Sequence, residues 1–246
     1  MDLKNAQPEA FKMSKYDHYI FFADLLRYPE SNFPEVLEAG MTSLQAKYPE
    51  AVEELQVFAD FIRNHTADER EELYTKTFDV QPICYLDLGY VIFGEDYKRG
   101  AFLLHMQGEQ QAAGNDCGTD LADNISNMLT LFTKTSNQQI IDELAVKILI
   151  PGVEKMIAEF AQARVDLKVK VLKKLHRAII QEELNQGNVY RNVFTALLSV
   201  LKKDFQGIHF ESVLNPVIDL QHHKSFFGKQ SVNVEVNNLV SNYKLD

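Results

Sequence analysis

The sequence has little of what secreted, membrane-spanning or nucleic-acid-binding proteins usually need. Two cysteines in 246 residues are too few for a disulfide framework or a four-cysteine metal site, which favours a reducing compartment. No apolar run approaches the roughly 18 residues of a membrane-spanning helix, and the start has no signal-peptide core. Lys and Arg number 25 against 35 Asp and Glu, and this net charge of −10 argues against a general nucleic-acid binder. These absences predict a soluble, cytoplasmic protein without membrane insertion.

Glycine and proline are also scarce, at 11 and 7 residues, which favours helices over many short strands joined by turns. Apolar residues recur at helical spacing, and 46% hydrophobic residues are enough for a sizeable core. The predicted fold class is all-α, a single-domain bundle of about eight to ten helices. We expect an N-terminal extension over 1–13, the helical domain over 14–215 and a flexible tail over 216–246.

Several helix boundaries are predicted from capping residues and prolines. Ser14 is expected to cap the first helix, and Pro49 is expected to open the third. Asp68 and Glu71 have the spacing of a capping box. Pro151-Gly152 is expected to break a helix. Residues 165–171 alternate as a strand would, but no breaker occurs between Gly152 and Gly187, so a helix is favoured there.

The chain lacks the common motifs of metal and catalytic sites. None of the seven histidines follows a glutamate by three positions, so the Glu-x-x-His pairs of di-iron helical proteins are missing. The zinc-protease, phosphate-loop, dinucleotide and serine-hydrolase motifs are missing as well. Cys84 lies in an apolar run, which is typical of a small core residue. We therefore predict no catalytic residue, no metal and no cofactor.

Two segments nevertheless resemble one family in the order and spacing of their residues. The first is Leu25-Leu26-Arg27-Tyr28-Pro29. The second runs Tyr74-x-x-x-Phe78-Asp79, Leu86-x-Leu88-x-Tyr90, Gly94-Glu95, Arg99-Gly100 and Leu103-Leu104. Both are similar to the NarJ-type assembly chaperones of respiratory nitrate reductase, within the wider TorD/DMSO-reductase maturation group. The resemblance covers roughly residues 16–135.

One motif departs from that family. The family usually has Glu-Leu-Pro-Asp before an apolar helix, whereas this chain has Asp120-Leu121-Ala122-Asp123. Both carboxylates are kept and the proline is missing. The client therefore stays open between nitrate reductase and another molybdenum enzyme, such as a selenate, dimethyl sulfide or nitrite oxidoreductase.

The resemblance implies a non-enzymatic chaperone that holds the catalytic subunit of a molybdopterin oxidoreductase for cofactor insertion. Such proteins often bind the client's N-terminal segment, frequently a twin-arginine leader or its remnant. A basic amphipathic peptide needs an apolar groove with acidic edges. The expected floor is Tyr74, Phe78, Leu86, Leu88, Tyr90 and Leu104. The expected rim is Asp79, Asp87, Glu95 and Asp96, with Arg99, Asp120 and Asp123 as further client-binding candidates.

Other interpretations of these residues are open. Phe78, Leu86, Leu88 and Leu104 also fit a helix core, and Arg99 fits an ion pair with a nearby carboxylate. The main alternative function is a permanent structural or adaptor subunit of an oxidoreductase complex, which stoichiometry in the mature enzyme would distinguish. A third is a small-molecule enzyme or sensor with a cofactor in its helical core. The oligomeric state is left open.

Overall fold

All regular secondary structure is helical in the residues that the computed structural model describes, 14–80, 82–161 and 189–209, and this confirms the all-α class. The helices in chain order are α1 (His18–Leu25), α2 (Phe33–Leu44), α3 (Pro49–Asn64), α4 (Ala67–Phe78), α5 (Leu88–Phe93), α6 (Tyr97–Ala112), α7 (Ile125–Lys134), α8 (Gln138–Leu144), α9 (150–161) and α10 (Val189–Asp204). The predicted extension over 1–13, the alternating segment 165–171 and the tail over 216–246 lie outside the described residues. None of the described helices is both long and apolar enough to cross a bilayer.

Helix α1 is the central element, and α2, α7 and α10 pack around it. Apolar residues on most of its circumference predict this burial. Its buried residues are Tyr19, Phe21, Phe22, Ala23 and Leu25. Ile20, another apolar residue of this helix, lies on the outer side and is 38% exposed. The helix begins at His18 rather than after Ser14, whose hydroxyl instead accepts a hydrogen bond from the amide of Tyr16 at 3.3 Å.

Helix α4 begins with a capping box two residues earlier than predicted. Thr66 has extended backbone, its hydroxyl accepts from the Glu69 amide at 3.4 Å, and the Glu69 carboxylate accepts from the Thr66 amide at 2.8 Å. Asp68 and Glu71 share this three-residue spacing, but both lie inside the helix. A cap needs non-helical backbone, so the first suitable pair takes the role.

The predicted helix break at Pro151-Gly152 is wrong. Residues Ala145–Leu149 form one π-helical turn, and the chain continues as α9. A proline ring collides with the carbonyl four residues earlier in a regular α-helix, and the wider turn lies at that point. Gly152 then lies against Leu88, because a Cβ there would come 2.5 Å from Leu88 Cδ2. The glycine therefore allows α9 to cross α5 closely.

A buried polar network joins α1, the turn before α3 and the end of α10. Asp204 Oδ2 lies 2.7 Å from His18 Nε2 and accepts from Tyr19 Oη at 3.2 Å. Its Oδ1 accepts from Tyr48 Oη at 2.6 Å and from Lys47 Nζ at 3.1 Å. Because both carboxylate oxygens are bonded, the network stabilises the contact of three distant segments.

Candidate functional site

Helix α5 begins beside the turn that precedes α7, and two main-chain hydrogen bonds join them. The amide of Leu88 donates to the carbonyl of Asp123, and the amide of Ile125 donates to the carbonyl of Leu86, both at 2.9 Å. Asp87 and Asn124 form an antiparallel bridge between these bonds. The Leu-x-Leu-x-Tyr and Asp-Leu-Ala-Asp motifs, more than 30 residues apart in sequence, therefore lie side by side.

Asp123 is a fully buried carboxylate, not part of a rim. Its Oδ2 accepts from the amide of Gly89 at 3.1 Å, which places it at the N-terminus of α5, where an anion is stabilised. A Cβ on Gly89 would overlap that oxygen and lie 3.0 Å from Phe102 Cδ1. Burial raises the pKa of Asp123, although the Gly89 amide and Arg99 counteract this. The structure corrects the expected role of Asp123: it positions α5.

Arg99 lies next to the second carboxylate of this region, as its ion-pair interpretation predicts. Arg99 Nη2 is 3.8 Å from Asp87 Oδ2, and both side chains are about one quarter to one third exposed. The guanidinium carbon lies 5.1 Å from the centre of the Tyr90 ring, within cation–π range. Burial raises the pKa of Asp87, and the neighbouring Asp123 raises it further while Arg99 lowers it. Arg99 of α6 thus offsets the negative charge of Asp87, the residue that precedes α5.

Three of the six residues expected in the groove floor belong to the core. Tyr74, Phe78 and Leu88 are less than 9% exposed. The Tyr74 and Phe78 rings lie 5.0 Å apart, and Phe78 lies 4.8 Å from Tyr190 of α10. The Tyr74 hydroxyl donates to the carbonyl of Leu26 at 3.4 Å, and burial raises its pKa. Tyr74 and Phe78 are therefore corrected from client contacts to core residues that join α4, α1 and α10.

Leu86 and Tyr90 are half-buried, beside an aromatic residue that sequence reasoning missed. The Tyr85 ring stands edge-on to Tyr90 at 4.4 Å and is 45% exposed. In an extended segment, neighbouring side chains point to opposite sides, so a pattern that turns Leu86 and Leu88 inward predicts that Tyr85 lies on the outer side. Tyr85, Leu86 and Tyr90 form a partly apolar surface at the start of α5.

The remaining acidic candidates are exposed, as a rim requires: Asp79, Glu95, Asp96 and Asp120. Asp96 also caps α6, because its Oδ1 accepts from the Lys98 amide at 2.9 Å. Leu104, expected in the floor or core, is 70% exposed. Tyr97, which sequence reasoning passed over, is 76% exposed. Its position seven residues before Leu104 places both on one side of α6.

A polar cavity of 440 Å³ lies between the loop after α6 and α7, and the candidate Asp120 is part of its lining. Arg27, Cys117, Thr130 and Lys134 contribute to its lining. Arg27 donates to Thr130 Oγ1 and to Asp24 Oδ1, both at 3.1 Å, so its guanidinium is already engaged. Burial raises the pKa of Cys117. Among the described residues, no group of three or more His, Cys, Asp and Glu side chains is arranged to hold a metal ion.

No protein-family model and no curated protein matches the chain.

Proposed function

We propose that this protein is a cytoplasmic, non-enzymatic maturation chaperone of the NarJ type. It binds the N-terminal region of the catalytic subunit of a molybdopterin-dependent oxidoreductase and holds it for insertion of the molybdenum cofactor. The observation that carries this proposal is that the resembling motifs contact one another. Tyr74 bonds to Leu26, and Arg99 lies next to Asp87. Two contacts thus join residues of the resembling motifs, which supports a shared architecture more strongly than separate short matches would.

The surface beside these motifs supports the binding of a basic, partly apolar segment. Glu95 and Asp96 are exposed next to Tyr97, and Leu104 lies two turns further along α6. Acidic groups next to exposed apolar side chains attract a cationic segment and then contact its apolar face. The net charge of −10 increases this attraction at long range.

Asp123 and Asp204 both accept structural hydrogen bonds, although Oδ1 of the buried Asp123 has no partner among the described residues. Asp123 holds the start of α5 through Gly89, and Asp204 holds α1 and α10 through His18 and Tyr48. Groups in these positions maintain helix arrangement. The exposed surface is then where the function of this domain is expected.

The test is co-purification with candidate molybdoenzyme catalytic subunits from the source organism, each expressed with an affinity tag. In cells that cannot make the molybdenum cofactor, we expect this protein to be retained by one such subunit, and a subunit without its N-terminal segment to lose it. In cofactor-producing cells, the mature enzyme should lack it. Retention in the mature enzyme at one copy per catalytic subunit would contradict the proposal and indicate a permanent subunit.

A further inference from the structure

The exposed face of α6 carries no charged residue. Its exposed residues are Tyr97, Gly100, Ala101, Leu104, Gln107, Gly108, Gln111 and Ala112. Helix α3, also 16 residues long, gives the comparison. Its exposed residues include Glu50, Glu53, Glu54, Asp60 and Arg63. Exposed helix faces normally carry charge for solubility, so α6 differs from an ordinary solvent-facing helix.

Tyr97 and Leu104 are the most exposed large apolar side chains of the described residues, at 76% and 70%. A single exposed leucine or tyrosine is common on protein surfaces. Here the two lie seven residues apart on one side of α6, with only small or uncharged residues between them on that side. They therefore form a continuous apolar strip, which we call the α6 strip.

Gly100 and Gly108 lie on the α6 strip, four residues on either side of Leu104. Neither has positive φ, and a Cβ at either position would have nothing within 4 Å. Glycine weakens a helix relative to alanine, so no turn and no close contact in the described fold explains these two residues. Gly100 and Gly108 are eight residues apart with Leu104 between them, so a second helix can approach the backbone of α6 closely on either side of that leucine.

The charge at one end of the α6 strip indicates what binds there. Glu95 and Asp96 are exposed directly before Tyr97, and Arg99 in the first turn of α6 lies next to Asp87 instead. A second copy of this chain would present the same exposed face of α6, whose exposed residues include no cation to pair with Glu95 and Asp96. A helix of 16 residues is about 24 Å long, which is short for the roughly 800 Å² per partner of a stable dimer.

We propose that the α6 strip binds an amphipathic helix of a partner protein, which packs small and apolar side chains over Gly100, Leu104 and Gly108. A basic residue at one end of that helix pairs with Glu95 and Asp96. The identification of this partner helix with the client's N-terminal segment rests on the proposed function.

The test measures binding of synthetic helical peptides to the full chain by fluorescence anisotropy. The probe peptide has 18 residues, a Leu/Ala stripe and two arginines at one end, and the control peptide carries two glutamates instead. We expect Leu104→Glu to weaken binding of the probe about tenfold or more and Gly108→Gln about fivefold. Val57→Glu on α3, where Val57 is 55% exposed, should leave it unchanged.

Gly108→Gln separates contact from folding, because glutamine is a better helix former and the unfolding midpoint should stay equal or rise. Several results would overturn the proposal: no binding of the probe, equal binding of both peptides, or equal binding by all variants. A dimer that Leu104→Glu converts to a monomer in sedimentation velocity would assign the α6 strip to a second copy instead.

The same variants distinguish this proposal from the proposed function. If a molybdoenzyme catalytic subunit co-purifies equally with wild type, Leu104→Glu and Gly108→Gln, the chaperone function is supported and the proposed role of the α6 strip is contradicted. If the probe binds at the α6 strip but no such subunit co-purifies, helix binding at the α6 strip is supported and the chaperone function is contradicted.

Discussion

Asp123 is a buried carboxylate and Asp204 a partly buried one, and their pKa values shift in opposite directions. Burial raises the pKa of Asp123, and the bond from Gly89 does not offset it. Burial acts in the same direction on Asp204, but the hydrogen bonds from His18 and Tyr48 outweigh it, and the pKa of Asp204 falls well below its usual range. Burial therefore decides the direction at Asp123, whereas hydrogen bonds and the charge of His18 decide it at Asp204.

These directions predict opposite pH dependence for two variants. A carboxyl group with a raised pKa stabilises the fold at low pH, and that contribution is lost as pH rises through the folded pKa. The free energy of unfolding of Asp123→Asn should therefore increase relative to that of wild type as pH rises above about 4. A carboxyl group with a lowered pKa stabilises the fold above about pH 4, and that contribution is lost as pH falls further. The loss of unfolding free energy caused by Asp204→Asn should therefore be largest at neutral pH. Unfolding midpoints between about pH 3 and pH 8 test both, and parallel pH profiles would contradict this account.

Two glycines next to the same region predict opposite effects of alanine. Gly89→Ala places a methyl group into Asp123 Oδ2 and should cost about 1–3 kcal/mol, which lowers the unfolding midpoint by several degrees. Gly100→Ala has nothing within 4 Å and should stabilise α6 by up to about 1 kcal/mol. Thermal unfolding of both variants is the measurement. A neutral Gly89→Ala would show that Asp123 moves aside without cost.

At the scale of the element, helix identity is more predictable from sequence than helix boundaries. Pro49 begins α3 as predicted, because proline suits the first turn of a helix. Two candidate pairs for the cap of α4 share one spacing, and only the extended backbone of Thr66 distinguishes its pair from that of Asp68. Pro151 continues a helix because a π-helical turn precedes it, and no local residue pattern predicts that turn.

The connection between helices at Asp204 makes a separate prediction with a matched control. Tyr48→Phe removes the 2.6 Å hydrogen bond from a nearly fully buried hydroxyl to Asp204, which should cost about 1–3 kcal/mol in urea unfolding. Tyr28→Phe removes a 2.8 Å bond to Glu71 at an exposed site and should cost less than about 0.5 kcal/mol. Equal losses would show that the network does not join these helices more strongly than a surface contact does.

At the scale of the molecule, the candidate site was only partly predictable. Spacing along α4 places Tyr74 and Phe78 on one helix face, but Tyr190, more than 100 residues later, covers that face. Asp123 likewise reads as an exposed acid until its bond to Gly89 is known. Glu95 and Asp96 were predicted correctly as exposed because they lie between two helices, at a glycine with positive φ, Gly94.

Variants of Glu95 and Asp96 can test whether the position of charge on the molecule matters for binding, as distinct from its net charge. Glu95→Lys with Asp96→Asn removes the acidic end of the α6 strip, and asparagine keeps the cap of α6 because it caps as well as aspartate. A control with the same change in net charge is Glu53→Lys with Glu54→Gln, both exposed on α3. These two variants have equal net charge and differ only in where the charge lies.

Local acidic residues next to a binding surface act mainly on association, because they attract a cationic partner before contact forms. We expect the Glu95/Asp96 variant to slow association of the arginine-bearing peptide more than the α3 variant does, with little change in dissociation. The difference should shrink between about 0.05 M and 0.5 M salt, since the Debye length falls below about 10 Å above 0.1 M. Stopped-flow fluorescence at both salt concentrations measures these rates. Equal slowing by both variants would attribute the effect to net charge alone, because only a local mechanism distinguishes two molecules of the same total charge.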